Sequence, residues 1–353
     1  MPQSSGATSC TSADAHTRGA GFSHELLLYS DGDHGFVHAT LERIRAALAD
    51  GAGVLVAVDD ARACALARAL GEQAAEVRFA GARELARNPA RLIPAWREFV
   101  DAQGVGGERE RPAADGGEQS AHGDGRATGE RETHRALVIG EHVWPERSTA
   151  ELEECERHET LVNVAFAADP AWQLVCAYDA DRLEDAVIDA ACANHPSLAA
   201  ARASGANDRY ARAHDPARAL AGTLPAPAGA VSELAFAGGE LSRLRRETSA
   251  WASAHGLDVD GTDDLVLAID ELAANSIRHG GGGGTLRCWR ERHSLLCEVS
   301  DSGTIDAPLL GRRRPAADAS SGRGVWLVNQ LCDLVQIRSA RGATTVRVHK
   351  RLP

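Results

Sequence analysis

The stretch DELAANSIRHGG, residues 270–281, decides the fold of the C-terminal third of this chain. Its Glu271, Asn275 and His279 recur every four residues, so on an ideal helix each side chain is turned by about 40° from the one before. The three therefore form one polar stripe. Apolar residues form a neighbouring stripe, at Leu265, Ile269 and Leu272. The pattern indicates an amphipathic helix whose polar stripe is either an ordinary solvated face or the wall of a site.

The composition of the chain restricts the kinds of protein it can be. With 353 residues, 44% of them hydrophobic, it is long enough for two domains of roughly 100–200 residues each. The formal net charge is −12, and the longest basic run is GRRRP at residues 311–315. A nucleic-acid binder usually carries clustered positive charge, so the composition argues against a DNA-binding regulator and against a nucleic-acid partner.

The sequence also lacks the marks of a membrane or secreted protein. No apolar run approaches the roughly 18 residues of a membrane span, and residues 1–21 lack the cationic and apolar regions of a signal peptide. We therefore expect a cytoplasmic protein, with no membrane partner and with a disordered tail at residues 1–21.

The eight cysteines are scattered singly, without a CxxC pair, so the sequence predicts neither a disulfide framework nor a zinc ribbon. Cys155 and His158 have CxxH spacing, but no second ligand pair lies nearby in sequence.

Lysine is almost absent: Lys350 is the only one among the 38 lysines and arginines. A Walker A loop, a protein kinase of the eukaryotic kind and a pyridoxal enzyme each need a lysine at their centre, so these classes are excluded. If the protein binds ATP, it must hold the phosphates through a metal ion, helix N-termini and backbone amides.

Strand and helix patterns alternate in the N-terminal half. The apolar run GVLVAVDD (residues 53–60) is followed by the helical ARACALARALGEQ (residues 61–73), as expected for a parallel α/β layer. Further strands are predicted at residues 76–81, 136–144 and 172–179.

Composition also suggests the domain boundaries. Residues 103–134 are almost all Gly, Glu, Arg, Ala and Asp, and they predict a disordered insertion in a first domain at residues 22–197. An Ala-, Pro- and Gly-rich linker is predicted at residues 198–230, before a second domain at residues 231–353.

The first domain resembles the MEDS sensory domain family. The resemblance rests on NPARLIPAWREFV (residues 88–100), GEHVWPERSTAELEECERHETLVNVAF (residues 140–166) and LVCAYD (residues 174–179) followed by the His-Pro pair at 195–196. It implies a RecA-like α/β fold without a working nucleotide loop, and a sensing role for an unidentified small ligand. His24 and His158 are the candidate ligand contacts, and the alternative for each is a hydrogen-bonded structural histidine.

The segment RHETLVN, residues 157–163, also resembles the phosphoacceptor box of sensor histidine kinases. Such a box would lie on a helical hairpin directly before the ATP domain, whereas here a predicted strand follows. A divergent histidine kinase therefore stays open as an alternative.

The last third of the chain predicts two helices, two strands, a loop, a helix and a terminal hairpin. This order suits an α/β sandwich with helices on one face of a mixed sheet. The predicted elements after the first helix pair are GTLRCWRER (284–292), SLLCEVSDSG (294–303), GRGVWLVNQL (322–331) and the hairpin at 334–352.

Three motifs in this order resemble the GHKL (Bergerat) ATPase superfamily, and within it the anti-sigma-factor serine kinases of the RsbW and SpoIIAB type. Glu271 and Asn275 match the family's E-x-x-x-N, and His279 follows where a polar residue is common. Ala343 replaces the glycine that usually precedes the strand threonine. The remaining matches are D-x-G at Asp301 and Gly303, G-x-G at Gly322 and Gly324, and the strand threonine Thr344.

The resemblance implies ATP and Mg²⁺ as cofactors. Asn275 would be the metal ligand, because an amide oxygen is a hard, uncharged donor for Mg²⁺. Asp301 would accept a hydrogen bond from the adenine amino group, and Glu271 would orient or deprotonate an attacking hydroxyl. Gly322 and Gly324 would free a helix N-terminus to point its amides at the phosphates, and Gly303 would let the backbone approach the base. The implied nucleotide contacts are Asn275, His279, Asp301, Gly303, Gly322, Gly324 and Thr344.

The reaction implied is phosphate transfer to a separate protein, because no phosphoacceptor hairpin precedes the domain and the loop at residues 304–321 is short. The family's substrates are STAS-domain anti-anti-sigma factors, a sigma factor is the second partner, and a homodimer is compatible with the resemblance. The alternatives are the histidine kinase and a non-catalytic module in which ATP stabilises a shape that binds the partner.

Overall fold

The computed structural model describes residues 21–105, 135–199, 204–210, 219–316 and 322–353. Two sheets organise them, one of seven strands and one of five. The tail and the insertion predicted from composition lie outside the described residues, apart from Gly21 and residues 103–105. The domain boundaries themselves stay a prediction.

The first sheet has the order β3-β2-β4-β5-β1-β6-β7. Its first six strands are parallel, as predicted, and β7 pairs antiparallel with β6. Part of β6 and all of β7 lie within the segment assigned to a linker. The strands are β1 (Ser23–Tyr29), β2 (Gly53–Val58), β3 (Val77–Gly81), β4 (Ala136–Gly140), β5 (Gln173–Asp179), β6 (Ser197–Ala199) and β7 (Ser204–Ala206).

Helices cover both faces of this sheet. Along β2, Val54 and Val56 enter one hydrophobic core while Leu55 and Ala57 enter the other, because successive strand residues point to opposite faces. The helices are α1 (Gly32–Ala49), α2 (Asp60–Leu70), α3 (Ala82–Leu85), α4 (Leu92–Ala102), α5 (Thr149–Ala165) and α6 (Asp185–Asn194). The two cores explain why β2 reads as a continuous apolar run.

The second sheet has the order β11-β12-β10-β9-β8. A mixed sheet was expected, but all four pairings among the described strands are antiparallel. Two of these pairings are hairpins, whose strands necessarily run in opposite directions. The strands are β8 (Ser232–Ala237), β9 (Gly283–Glu291), β10 (Ser294–Asp301), β11 (Leu334–Ala340) and β12 (Ala343–Arg351).

Three helices pack on one face of this sheet, which confirms the predicted α/β sandwich. They are α7 (Leu241–Ala254), α8 (Val259–His279) and α9 (Arg323–Leu331). Their shared core includes Leu265 and Leu272 of α8 with Leu286 and Val346 of the sheet. Among all described helices, none combines the length and the apolar character needed to cross a membrane.

Candidate functional site

The helix α8 carries the polar stripe, and its local sequence explains its start and its orientation. The carboxylate of Asp258 caps the N-terminus by accepting a hydrogen bond of 2.8 Å from the Gly261 amide. Its apolar stripe is buried against the sheet. Glu271 and Asn275 are half-buried, whereas His279 is exposed. The stripe is therefore not simply a solvated face, because another element covers its first two members.

That covering element is the N-terminus of α9. A Cβ atom at Gly324 would lie 2.7 Å from Glu271 Oε2 and 3.1 Å from Asn275 Nδ2, so a side chain at this position would displace the Glu271 carboxylate. Gly322, at the N-cap of α9, has φ +84°, a left-handed conformation that favours glycine. The two glycines thus place the first turn of α9 against the carboxylate and amide of the stripe.

A second group of predicted residues meets at the end of β10. Asp301 Oδ2 accepts a 2.6 Å hydrogen bond from the Ser276 hydroxyl, and Asp301 Oδ1 accepts one of 2.7 Å from the Gly303 amide. Thr344 Oγ1 on β12 donates to the Gly303 carbonyl at 3.1 Å. A Cβ at Gly280 would lie 2.3 Å from Asp301 Cγ, so the carboxylate packs directly on the end of α8.

The predicted residues thus fall into two clusters on successive turns of α8. Glu271 and Asn275 lie beside Gly324. Asp301 and Gly303 lie beside the C-terminal turn of α8. The imidazole of His279 takes part in none of the described hydrogen bonds and does not enter either cluster.

Sequence reasoning missed two residues of α8 that contact these clusters. Ser276 orients Asp301, and Arg278 Nη2 donates a 3.0 Å hydrogen bond to Asn275 Oδ1, the oxygen predicted to bind Mg²⁺. Ser276 follows Asn275 directly and lies on the buried face of α8. A polar residue among the apolar positions of the helix was the only sign in the sequence of its contact with the site.

An open cleft of about 400 Å³ borders Glu271 at the α9 N-terminus. Its walls include the arginines Arg314 and Arg323 and the indole of Trp326. Two guanidinium groups and a helix N-terminus favour an anionic ligand there. A larger cavity of about 920 Å³ lies between α4 and residues 312–315, but no residue of the polar stripe lines it, so the chemistry points to the smaller cleft.

The two candidate sensory histidines lie inside the first domain. His24 Nε2 is 3.0 Å from Glu159 Oε2, and the ring of His158 packs edge-on against His142 with centroids 5.4 Å apart. Burial lowers the pKa of His158 well below its usual value and lowers that of His195, which also lies near Glu159, to about 3. Neither predicted histidine is presented to an open cleft.

The first domain also forms hydrogen bonds with the C-terminal end of α9. Arg91 Nε donates a 2.9 Å hydrogen bond to the Asn329 carbonyl, and Arg91 Nη2 donates to the Cys332 carbonyl at 3.1 Å. Asn88 Nδ2 donates to Asn329 Oδ1 at 3.0 Å. A guanidinium here satisfies the last carbonyls of α9 and complements the negative end of its dipole.

A buried ion-pair cluster makes a second contact, between helix α5 of the first domain and the second sheet. Glu154 on α5 lies 2.9 Å from the Arg338 guanidinium on β11 and 3.1 Å from that of Arg312. The three side chains are almost wholly buried. The first domain therefore holds both the end of α9 and the edge of the second sheet.

Comparison with known proteins agrees with both resemblances. Residues 236–350 match the model of the histidine kinase-like ATPase domain family, and residues 125–196 match that of the methanogen/methylotroph, DcmR sensory domain, called MEDS. The MEDS match is shorter than the domain expected from sequence. No curated protein matches the chain.

Two solved structures have local similarity. One contains the RsbU and RsbW domains of Rv1364c from Mycobacterium tuberculosis (18% identity, 35% of this chain, 33% of that chain, TM-score 0.28). The other is the histidine kinase AdeS of Acinetobacter baumannii (10% identity, 34% of this chain, 68% of that chain, TM-score 0.22). The chain spans about a third of the length of the first. The family matches therefore show a segment similar to the MEDS domain at residues 125–196 and a C-terminal region similar to histidine kinase-like ATPase domains at residues 236–350.

Proposed function

We propose that the chain is an ATP-dependent serine/threonine protein kinase and anti-sigma factor that phosphorylates a STAS-domain partner under control of its N-terminal domain. The observation that carries the proposal is the meeting of Glu271 and Asn275 with Gly324 at the α9 N-terminus. A carboxylate, a side-chain amide and a helix N-terminus are the groups with which a site without lysine can hold and transfer phosphate.

ATP would bind with its base at Asp301 and its phosphates toward α9. Each Asp301 oxygen already accepts one internal hydrogen bond, which fixes the carboxylate while leaving further lone pairs for the adenine amino group. Mg²⁺, held through Asn275, would neutralise phosphate charge. Arg278 donates to the same Asn275 oxygen, and its exposed side chain can turn into solvent when the metal ion binds.

Glu271 is the candidate base for the transfer step. Its carboxylate borders the cleft and can accept the proton from a serine hydroxyl of the partner as that oxygen attacks the terminal phosphate. Arg314 and Arg323 line the same cleft and can stabilise the charge of the transferring group. A partner's loop would enter from the open side.

The environment of His158 disfavours the histidine kinase alternative. Its side chain is 1% exposed, and its helix α5 packs within the first domain's core rather than in a free hairpin. A phosphoacceptor must reach a γ-phosphate, and the buried ring of His158 is not accessible to one.

The two ends of α9 offer a route for control. Nucleotide would bind at its N-terminus, while Arg91 and Asn88 of the first domain hold its C-terminal carbonyls. A helix of nine residues moves as a rigid unit, so a shift of the sensory domain would change the position of Gly324 against Glu271.

Gly324→Ala is expected to lower ATP affinity at least tenfold, about 1.4 kcal/mol, because the added methyl group would push Glu271 and Asn275 out of place. Gly229→Ala is the control, since a Cβ there would meet nothing within 4 Å. Calorimetric titration of both full-length variants with ATP and Mg²⁺ measures the difference. Equal ATP affinities in the two variants would show that the N-terminus of α9 is not part of the nucleotide site.

Asp301→Asn is expected to weaken ATP binding at least tenfold, since an amide can present its own donors to the adenine amino group. The ratio of ATP to GTP affinity should fall with it, because guanine has an acceptor at that position. Asp306→Asn makes the same chemical change at an exposed carboxylate and should leave both affinities unchanged. If the ratio of ATP to GTP affinity is unchanged in Asp301→Asn, a group other than Asp301 distinguishes adenine from guanine.

The proposed kinase reaction is tested by incubating the chain with γ-labelled ATP and a STAS-domain protein. Acid-stable label on the STAS protein supports the proposal, because phosphoserine survives acid. Acid-labile label on the chain itself, lost in His158→Ala, would favour the histidine kinase, and ATP binding without any transfer would favour the non-catalytic module.

A further inference from the structure

Four side chains of the types that can bind metal ions meet inside the first domain. They are His24 on β1, Glu159 on α5, Cys176 on β5 and His195 after α6, and each is at most 2% exposed. One ligand atom from each lies within 4.8 Å of all the others. The nucleotide site proposed in the second domain uses none of them.

The distances between the ligand atoms suit tetrahedral coordination of a metal ion. Glu159 Oε2 lies 3.0 Å from His24 Nε2, 3.5 Å from His195 Nε2 and 3.7 Å from Cys176 Sγ, and the His24 Nε2 to Cys176 Sγ distance is 3.4 Å. Zinc bonds of about 2.0–2.3 Å in a tetrahedron place neighbouring ligand atoms about 3.3–3.7 Å apart. These four separations are close to that range, and the remaining two are within 4.8 Å.

Hydrogen bonds outside the cluster fix both histidine rings. Asn163 uses its amide nitrogen to donate to the carbonyls of Glu159 and Asn194, so its Oδ1 must accept from His24 Nδ1, 2.9 Å away. The carbonyl of Ala191 likewise accepts from His195 Nδ1 at 2.7 Å. In the neutral imidazoles, each Nε2 therefore points a lone pair into the cluster.

The centre of the cluster has more hydrogen-bond acceptors than hydrogen-bond donors. Two Nε2 lone pairs and Glu159 Oε2 converge there, and the Cys176 thiol is the one described group that donates toward Glu159 Oε2. Facing acceptors buried without a cation or proton between them are costly. An ion at this point would satisfy all of them together.

We propose that His24, Glu159, Cys176 and His195 form a binding site for one divalent transition-metal ion of the zinc type. A thiolate and a carboxylate balance the +2 charge, so the loaded site is neutral and suits complete burial. The Cys176 proton leaves to solvent as the metal–sulfur bond forms.

Groups around the ligands support the same assignment. The other oxygen of Glu159, Oε1, accepts a 2.8 Å hydrogen bond from the Tyr178 hydroxyl and lies 2.8 Å from His142 Nε2. These contacts hold the carboxylate so that Oε2 faces the cluster. Four protein ligands make a closed site, which would join β1, α5, β5 and the end of α6.

The test uses full-length protein purified without added metal. Elemental analysis should find about one zinc ion per chain, or the chain should take up one equivalent when zinc is supplied. Cobalt should give a sulfur-to-cobalt charge-transfer band, and removal of the metal by a chelator should lower the melting temperature.

Cys176→Ser should abolish the charge-transfer band and weaken metal binding at least 100-fold. Cys155→Ser is the matched control, because Cys155 is equally buried in the same domain but lies outside the four-ligand set. His195→Gln provides a second variant that leaves the thiol in place, and it should weaken binding while the band stays.

The proposal is overturned if the folded native chain neither retains nor takes up a metal ion, which would mean that a proton alone satisfies the cluster. A charge-transfer band unchanged in Cys176→Ser would overturn the assigned ligands. Because the native chain's metal content and chelator response are measured independently, a variant that fails to fold does not remove the test.

Discussion

Glu271→Gln is expected to lower phosphate transfer to a STAS-domain partner by a factor on the order of 10² or more, the usual contribution of a positioned base. ATP affinity should stay close to that of the unaltered chain, because the amide preserves the size of the side chain and Asn275 is untouched. The rate is measured as acid-stable label transferred from γ-labelled ATP under single-turnover conditions.

Asp270→Asn is the control on the same helix, since this carboxylate pairs with Arg245 on α7, 3.2 Å away, and not with the cleft. It should transfer phosphate at the normal rate. Asn275→Ala should lose Mg²⁺-dependent ATP binding as well as transfer. If Glu271→Gln transfers phosphate as fast as the unaltered chain, Glu271 is not the base.

Glu154→Gln is expected to destabilise the chain by about 3–5 kcal/mol, the cost of breaking a buried ion pair and leaving its partners uncompensated. The carboxylate of Glu154 lies between the buried guanidinium groups of Arg312 and Arg338, and an amide cannot balance their charge. Chemical denaturation followed by tryptophan fluorescence measures the change.

Glu153→Gln is the matched control, because Glu153 also lies 3.5 Å from Arg338 but its side chain is 43% exposed. Solvent screens such a pair, so a change within about 1 kcal/mol is expected. A loss within about 1 kcal/mol in both variants would show that the buried pairs of Glu154 with Arg312 and Arg338 contribute little to stability.

The local elements of the second domain were predictable because each has a periodic signature. The spacing of Glu271 and Asn275 indicated α8, the apolar run before Asp301 indicated β10, and the glycines 322 and 324 indicated the start of α9. The strand β8 was missed, since SELAFA is short and mostly exposed and gave no strong apolar pattern. Local patterns thus identified the main elements of the proposed site.

Contacts between distant residues were not predictable from spacing. The hydrogen bond from Ser276 to Asp301 depends on how α8 crosses β10. The hydrogen bond from Arg91 to the end of α9 depends on how the first domain packs against the second. The cluster around Glu159 was missed for the same reason, because only sheet topology brings His24 and His195 together. Single histidines in sequence gave no ligand spacing.

Calorimetric titration of the full-length chain with ATP, with and without Mg²⁺, tests the proposed nucleotide site most directly. We predict that one ATP binds per chain when Mg²⁺ is present, and that Asn275→Ala loses the Mg²⁺-dependent part of the affinity. The absence of saturable binding under both conditions, or identical Mg²⁺-dependent affinity in Asn275→Ala, would contradict the assignment of α8, β10 and α9 as a nucleotide site.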